Sequence, residues 1–224
     1  MAFPFSGEPH MKSLPLTVAF VALTGLGSAT AQDLKPLALP APQVEGGKPL
    51  MQAIAARRSA REFDTRQLPL QELSNILWAA DGINRQESGK RTAPSAMNWQ
   101  ETDVYVLTAE GAYVYDPVPN ALKPVAPGDL RPLAGTQDFV RTAPLNLVFV
   151  VDKAKMSRAG DEDKKLYGAA DVGFIAENVY LYCASEGLAV VVRGSIDRQK
   201  LAAALNLRPE QAIILAQTVG YPPR

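Results

Sequence analysis

Apolar residues recur with a helical period in two stretches that precede the first strands. Leu50 and Ile54 share one face of a stretch that begins after Pro49, and this spacing predicts a short helix that ends near Arg58. A second helix is predicted over residues 69–81. Its apolar stripe consists of Leu70, Leu73, Ile76, Leu77 and Ala80, with Gly82 as the C-cap.

Three further helices are predicted in the second half of the chain. The longest covers residues 161–186 and ends at Gly187. Because its second half is apolar on most sides, we expect it to lie in the core or at a subunit interface. The two shorter helices cover residues 129–140 and 197–207. Their candidate caps are Asp129 for the first and Ser195 or Asp197 for the second.

Period-two alternation and continuous apolar runs predict five strands. They are residues 103–108, 112–117, 145–151, 188–194 and 212–220. The first two are joined by a short turn and form a predicted hairpin, whereas residues 83–93 are predicted as a loop. The chain is therefore expected to be α+β, with helices on both faces of a mixed, mainly antiparallel sheet of about five strands.

The first 31 residues have the features of a secretory signal peptide. Lys12 precedes an apolar run from Leu14 to Leu26, and the segment closes on the small residues of Ala-Thr-Ala. Cleavage before Gln32 would make the protein periplasmic or secreted, with no stable membrane anchor. An uncleaved membrane helix is the alternative, although the run is short for a bilayer span. Met11 is a second candidate for the true start.

The remaining chain has about the size of one ordinary domain. Residues 32–49 contain four prolines, a Gly-Gly pair and no helical period, which predicts an extended lead on the surface of a partner. Residues 50–224 then form the main domain.

Composition narrows the chemistry available. The chain has 23 basic and 23 acidic residues and no net charge, which disfavours a nucleic-acid partner. The only histidine, His10, lies in the predicted signal peptide, so the mature protein would lack Ser-His-Asp and Cys-His catalysis, and no zinc or copper site is expected. The single cysteine, Cys183, lies in an apolar helical stretch. We expect an inert buried thiol, with a reactive nucleophile as the alternative.

Three arginines cluster at the end of the first predicted helix. Arg57, Arg58 and Arg61 lie within five positions, and Ser59 lies between them. Their side chains can converge if the helix unwinds at Ser59, and converged guanidinium groups suit a dense anion such as a phosphate. A solvated helix end, where cations face the negative pole of the helix, is the alternative.

A second polar group precedes the strand at residues 103–108. Pro94 and Ser95 follow a basic loop, and the amide side chains Asn98 and Gln100 flank a tryptophan. Such a surface suits a planar heterocycle with a hydrogen-bonding edge. An ordinary helix N-cap at Ser95, with the amides facing water, is the alternative.

Taken together, these stretches resemble the nitroreductase-like flavoprotein family. The resemblance covers nearly all of residues 50–224 and rests on the segments RRSAREF, LSNILWAADGINR, RTAPSAMNWQETDVYV, PLNLVFVVD, GFIAENVYLYCASEGL and VVVRGSID with the closing VGYPPR. It implies an α+β homodimer with one FMN per site at the subunit interface. It also implies an oxidoreductase that transfers a hydride from a reduced donor, NAD(P)H or another, via FMN to an electron-poor acceptor such as a nitroaromatic or a quinone, in a ping-pong cycle.

The resemblance also implies which residues bind the flavin. Arg57 and Ser59 would contact its phosphate, with Arg58 nearby, and Arg61 would lie near its pyrimidine carbonyl. The cofactor-binding set further includes Pro94, Ser95, Asn98 and Gln100, from a segment that the partner subunit supplies in the family. No catalytic side chain is assigned.

Two further matches lie near the end of the chain. Arg193 and Gly194 match the strand end that approaches the reactive edge of the flavin, and Arg224 falls where the family often has a basic residue on the phosphate. The alternatives are a surface ion pair of Arg193 with Glu186 or Asp197, and a frayed terminus at Arg224.

The chain departs from the family pattern in three ways. It stops at Arg224, so the dimer contact is expected from the central helix and the N-terminal lead. Glu101 follows Gln100 where many members have a lysine, which leaves open how a flavin anion is stabilised. Export would place the protein where soluble nicotinamide cofactors are scarce. This motivates the alternatives of a non-enzymatic flavin-binding or electron-carrier protein of the cell envelope and of a flavin-free interaction domain.

Overall fold

The computed structural model describes residues 34–224 together with Met1 and Ala2. The rest of the predicted signal peptide lies outside these residues. Within the described residues, no helix combines the length and the apolar character needed to cross a membrane.

Five α-helices occur between residues 34 and 224. They are α1 Leu50–Ala56, α2 Leu70–Asp81, α3 Phe139–Thr142, α4 Asp161–Glu186 and α5 Arg198–Ala204. The predictions for α2 and α4 are confirmed, and α4 ends at Gly187 with a left-handed φ of 75°. Helix α1 ends earlier than predicted because Arg57 already has an extended backbone, with ψ of 124°. Asp197 caps α5 by accepting a hydrogen bond from the Lys200 backbone N–H at 3.1 Å.

The same part of the chain contains nine strands. They are β1 Leu37–Ala38, β2 Ile83–Arg85, β3 Lys90–Arg91, β4 Thr102–Leu107, β5 Gly111–Asp116, β6 Ala121–Pro127, β7 Leu145–Asp152, β8 Ala189–Arg193 and β9 Gln211–Gly220. Seven form one sheet in the order β1-β6-β5-β4-β7-β9-β8, and β2 pairs with β3 separately. The α+β class is confirmed. The main sheet has seven strands rather than five, and its pairings are all antiparallel rather than mixed.

Three stretches differ from the sequence predictions. Strand β6 was not predicted because it contains prolines, and Pro124 lies beside a register shift in the β5–β6 pairing, where proline is tolerated. Residues 83–93 form the β2–β3 hairpin instead of a loop. The helix expected over residues 129–140 is replaced by a 3-10 turn at Arg131–Leu133 and by α3, which follows Gly135.

Each face of the main sheet carries a hydrophobic core. Helices α2 and α4 cover one face, where Ile76 and Val179 pack in the same cluster as Phe149 of β7. Helix α5 covers the other face, where Leu201 packs in the same cluster as Val148 of β7. All eight residues of β7 are buried, which explains its continuous apolar sequence.

The N-terminal lead is extended and packs on its own chain. Strand β1 pairs with β6, and Leu39 is buried in the core. The Gln43 backbone N–H donates to Asn75 Oδ1 on α2 at 2.8 Å, and the Lys48 backbone N–H donates to Ser185 Oγ on α4 at 2.8 Å. The described part of the lead therefore forms one compact unit with the main domain.

Candidate functional site

The arginine cluster lies beside an open cleft at the end of α1. This arginine cleft has a volume of about 420 Å³, and Lys48, Arg57, Arg58, Tyr180 and Pro222 are among the residues that line it. Arg57 is half-buried, whereas Arg58, Ser59 and Arg61 are exposed. Within the described residues, none of the three arginines forms an ion pair. The cleft is thus open to solvent and rich in uncompensated positive charge.

Tyr180 of α4 holds the arginine segment, residues 57–61, in place. Its hydroxyl lies 2.8 Å from Ser59 Oγ and accepts a hydrogen bond from the Val192 backbone N–H at 2.9 Å. The Arg57 guanidinium carbon lies 5.2 Å from the centroid of the Tyr180 ring, a cation–π contact. The Ala60 backbone N–H donates to Val190 O at 2.8 Å, so the segment covers the outer edge of β8.

Sequence reasoning missed Tyr180. It belongs to an apolar helical stretch, and Ser59 lies 121 positions away in the chain. No local pattern indicates that the two hydroxyls meet, because their contact depends on how α4 packs against β8.

The amide loop, residues 94–100, lines a separate cleft of about 320 Å³. Met97, Asn98 and Gln100 have φ values of 51°, 56° and 49°, a left-handed conformation that costs energy in non-glycine residues. The Gln100 side chain accepts from Arg91 Nε at 3.2 Å and donates to Gly89 O at 3.1 Å. Pro94 and Asn98 are exposed, so the loop presents polar groups to solvent from a fixed backbone.

Ser95 anchors the amide loop from inside and is not a helix N-cap. Its Oγ donates to Glu101 Oε2 at 3.0 Å and accepts from the Gln100 backbone N–H at 2.8 Å. The short 3-10 turn at Ala96–Asn98 has no side-chain cap. The Ser95 hydroxyl therefore connects the loop to a buried carboxyl group.

One chain does not bring the two groups of candidate residues together. The arginine cleft and the cleft of the amide loop share no lining residue. Both contact α4, since Asp171 Oδ2 accepts from the Ala96 backbone N–H at 2.8 Å and Tyr180 contacts Ser59. From Asp171 to Tyr180 the helix advances about 14 Å and makes about two and a half turns, so the two side chains project in roughly opposite directions. The two groups thus lie at different positions along α4 and on different sides of it.

Arg193 points into the protein. Its Nε donates to Thr218 Oγ1 at 3.0 Å, its Nη2 donates to Asn146 Oδ1 at 2.6 Å, and its Nη1 donates to Ala134 O. Burial lowers the pKa of Arg193 to about 10. The alternative of a surface ion pair with Glu186 or Asp197 is wrong, because the side chain is buried and bonded elsewhere.

Gly194, which follows Arg193, is exposed. Its carbonyl oxygen accepts from the Ile196 backbone N–H at 3.0 Å and from Arg198 Nη1 at 3.2 Å.

The C-terminal tail lies on the segment that follows the arginine cluster. The Asp64 backbone N–H donates to Tyr221 O at 2.9 Å, and the Arg66 guanidinium carbon lies 4.1 Å from the centroid of the Tyr221 ring. Arg224 is 79% exposed, with Nε 3.7 Å from Asp64 Oδ2. The tail is therefore attached to this surface, and Arg224 lies beside Asp64, three positions after Arg61.

Two acidic side chains, one fully buried and one largely buried, lie close to the amide loop. Glu101 is fully buried, so it does not present a charge to a ligand in the place of the family's lysine. Burial and the nearby charge of Asp171 raise the pKa of Glu101. Burial raises the pKa of Asp81 to about 7, which outweighs the attraction of Arg91 Nη1 at 3.4 Å.

Comparison with solved structures defines the class of protein. The crystal structure of a candidate nitroreductase from Ralstonia eutropha JMP134 has a TM-score of 0.82 and 44% identity, over 88% of this chain and 93% of that chain. The NADPH:FMN oxidoreductase of Vibrio harveyi, solved in complex with NAD+, has the same fold, with a TM-score of 0.59 and 22% identity over 78% of this chain and 69% of that chain. The protein is an oxidoreductase.

Sequence comparison gives the family. A candidate nitroreductase of Methanocaldococcus jannaschii is 30% identical over 184 residues, which are 78% of this chain and 92% of the relative. The model of the nitroreductase family matches residues 54–221. The chain therefore belongs to the nitroreductase family, and it is a flavoprotein by that membership.

Proposed function

We propose that this protein is an FMN-dependent oxidoreductase that passes electrons from a reduced donor, NAD(P)H or another, to an electron-poor acceptor such as a nitroaromatic or a quinone. The observation that carries this proposal is the arginine cleft, in which Arg57 and Arg58 line an open volume next to Ser59. Guanidinium groups without carboxylate partners are suited to a phosphate.

The residues present fit FMN. The volume of about 420 Å³ lies within the usual range for small-molecule sites. Arg57 and Ser59 would hold the phosphate, with Arg58 beside them, and Arg61 would lie nearer to the pyrimidine edge. Arg224 adds a further cation from the tail. When bound, FMN supplies the hydride chemistry, and the chain contributes binding, orientation and exclusion of water.

The separation of the two clefts supports a homodimer as the complete site. We infer that the amide loop of one protomer, including Pro94, Ser95, Asn98 and Gln100, completes the arginine cleft of its partner. The exposed side of α4 fits such an interface, because Leu166, Tyr167 and Phe174 on it are 62%, 40% and 47% exposed. Large apolar residues clustered on one helix face are typical of protein–protein contacts.

The first experiment tests flavin content and assembly together. Residues 32–224 are purified, and the absorbance spectrum and the molar mass in solution are recorded with and without added FMN. We expect a yellow dimer that turns over NADH or NADPH with a nitroaromatic or a quinone. A colourless protein that ignores FMN would contradict the proposal, and bound FMN without turnover by any donor would indicate an electron carrier.

The second experiment tests the phosphate contacts. Arg57→Ala combined with Ser59→Ala removes a charge-assisted hydrogen bond and a hydroxyl contact. We expect the Kd for FMN to rise by about tenfold to hundredfold, since one charged hydrogen bond contributes about 1.5–3 kcal/mol. Arg141→Ala is the matched control, because this exposed arginine lies on α3 and does not line the arginine cleft. Equal FMN retention by all three proteins would refute the assignment.

We also propose that the protein acts in the periplasm or outside the cell. The support is the sequence of the first 31 residues, with a charged start, an apolar run and a small-residue ending. Mass spectrometry of the protein purified from its native cell envelope should find Gln32 at the N-terminus. Recovery of the uncleaved chain from the cytoplasm would contradict this proposal.

A further inference from the structure

Two buried carboxyl groups hold the amide loop from behind. Glu101 Oε2 accepts from Ser95 Oγ at 3.0 Å, and Asp171 Oδ2 accepts from the Ala96 backbone N–H at 2.8 Å. Glu101 is fully buried and Asp171 is 4% exposed. The second oxygen of Glu101, Oε1, is buried and has no hydrogen-bond partner within the described residues. Both side chains line one small cavity between the loop and α4.

No described cation compensates this pair. The nearby Arg91 lies against Asp81, with Nη1 to Oδ2 at 3.4 Å, and the nearby Lys155 pairs with Asp103, with Nζ to Oδ1 at 2.6 Å. Asp81 lines the same small cavity and adds a third carboxyl group. Within residues 34–224, neither Glu101 nor Asp171 forms an ion pair. Two adjacent buried carboxylates without a cation cannot both stay ionised at low cost.

We propose that Glu101 and Asp171 share one proton and form a positioning pair for the amide loop. Glu101 is the neutral acid, and its Oε1–H donates to the Asp171 carboxylate. Protonation turns the unsatisfied acceptor at Oε1 into a donor and removes one of two like charges. The Asp171 carboxylate keeps its charge and accepts from Ala96 as well.

The electrostatic surroundings agree with this assignment. Burial is the main cause that raises the pKa of Glu101, and the charge of Asp171 raises it further.

Loss of the shared proton should release the loop. With both groups ionised, repulsion separates Glu101 from Asp171, and these two residues carry the hydrogen bonds to Ser95 and Ala96. The loop then has less to offset the cost of three left-handed residues. Trp99 reports this change, because its ring lies 6.1 Å from the ring of Tyr167 on α4. The inference concerns the loop itself and does not depend on the proposed function.

Two measurements on a protein of residues 32–224, without added flavin, test the proposal. Infrared spectroscopy detects the shared proton, and Trp99 fluorescence detects the movement of the loop. The infrared spectrum at neutral pH should contain the C=O band of a protonated carboxyl group that disappears in Glu101→Gln. Both proteins in this comparison carry Asp81→Asn, because Asp81 is partly protonated at neutral pH and would contribute a C=O band of its own. If Glu101→Gln leaves the protonated-carboxyl bands unchanged, the shared proton is refuted.

Fluorescence of Trp99, isolated by subtraction of a Trp99→Phe variant, is then titrated from about pH 5 to about pH 10. Both proteins carry Asp81→Asn, because Asp81 lines the same cavity and titrates near pH 7. We expect one transition with Glu101 present and none in Glu101→Gln, whose amide can still donate to Asp171. Asp103→Asn, a change in a partly exposed acid two positions further along, should keep the transition. The absence of a transition with Glu101 present, or a transition that survives in Glu101→Gln, overturns the positioning role.

Discussion

Replacing Arg193 with methionine tests whether this residue has a structural or a ligand-binding role. The guanidinium connects β8 to Thr218 on β9, to Asn146 on β7 and to the carbonyl of Ala134. The chain approaches it closely, since a Cβ atom at Gly135 would collide with Arg193 Nη1. Methionine keeps much of the side-chain volume but has no donor, so three buried acceptors each lose one hydrogen bond, while Asn146 Oδ1 still accepts from Thr218 Oγ1 at 2.6 Å.

The structure allows the cost to be estimated. A hydrogen bond to a charged group contributes about 1.5–3 kcal/mol. The sum of three such bonds is the upper limit for the loss in the free energy of unfolding. Returning the guanidinium to water offsets part of that loss, because the charge is buried without a carboxylate. We therefore expect the free energy of unfolding to fall by about 4 kcal/mol. For a domain of this size, this corresponds to a fall in Tm of about 8–16 °C.

Urea unfolding followed by circular dichroism measures this change. The matched control is Arg198→Met. Arg198 also makes three hydrogen bonds, to the backbone carbonyls of Gly194, Ile213 and Ile214, but it is exposed. Water can replace its hydrogen bonds, so its loss should cost less than about 1 kcal/mol. If Arg193→Met is as stable as the wild type and loses only flavin, the reasoning is refuted.

Three further predictions concern single groups. Tyr180→Phe removes the acceptor for the Val192 N–H while its ring stays beside Arg57, so the free energy of unfolding should fall by about 1–3 kcal/mol in urea; an unchanged value would contradict the hydrogen bonds. Cys183 is fully buried, and burial raises the pKa of its thiol, so a thiol reagent should label it only after unfolding. Rapid labelling of the native protein would refute this. The folded-state pKa of Asp81 is raised to about 7 from a usual value of 3.8, so its stabilising contribution is complete below about pH 4 and is lost as the pH rises through 7. Asp81→Asn should flatten the fall in Tm between about pH 5 and about pH 8, and a parallel fall in both proteins would exclude this cause.

The elements that the sequence predicts correctly are those whose pattern is local. Helix α4 follows from its apolar spacing and from Gly187, which adopts the left-handed conformation that a helix end requires. Strand β7 follows from an apolar run that is buried on both faces of the sheet. Strands β1 and β6 were missed because their pairing joins distant segments and their sequences contain prolines or are very short.

In the candidate site, too, the features with a local sequence pattern were predicted and those that depend on long-range contacts were not. The arginine cluster was visible in the sequence, but its support by Tyr180 depends on a contact between residues 121 positions apart. The inward orientation of the Arg193 side chain could be predicted in part from the alternation of side chains along a strand. In a strand, residues two apart share a face, so Arg193 lies on the same face as Val191, which is buried. A buried valine at that position indicates that the arginine points inward as well.

Helix α4 links the observations on both clefts. Its buried residues Asp171 and Tyr180 fix the amide loop and the arginine segment on opposite sides, while its exposed residues Leu166 and Phe174 leave an apolar surface. Because one helix fixes both groups but keeps them apart, a ligand that needs both must receive one of them from a second chain. For the proposed homodimer, substitution of Phe174 by a charged residue should therefore separate dimer formation from folding, since the side chain is exposed in the single chain.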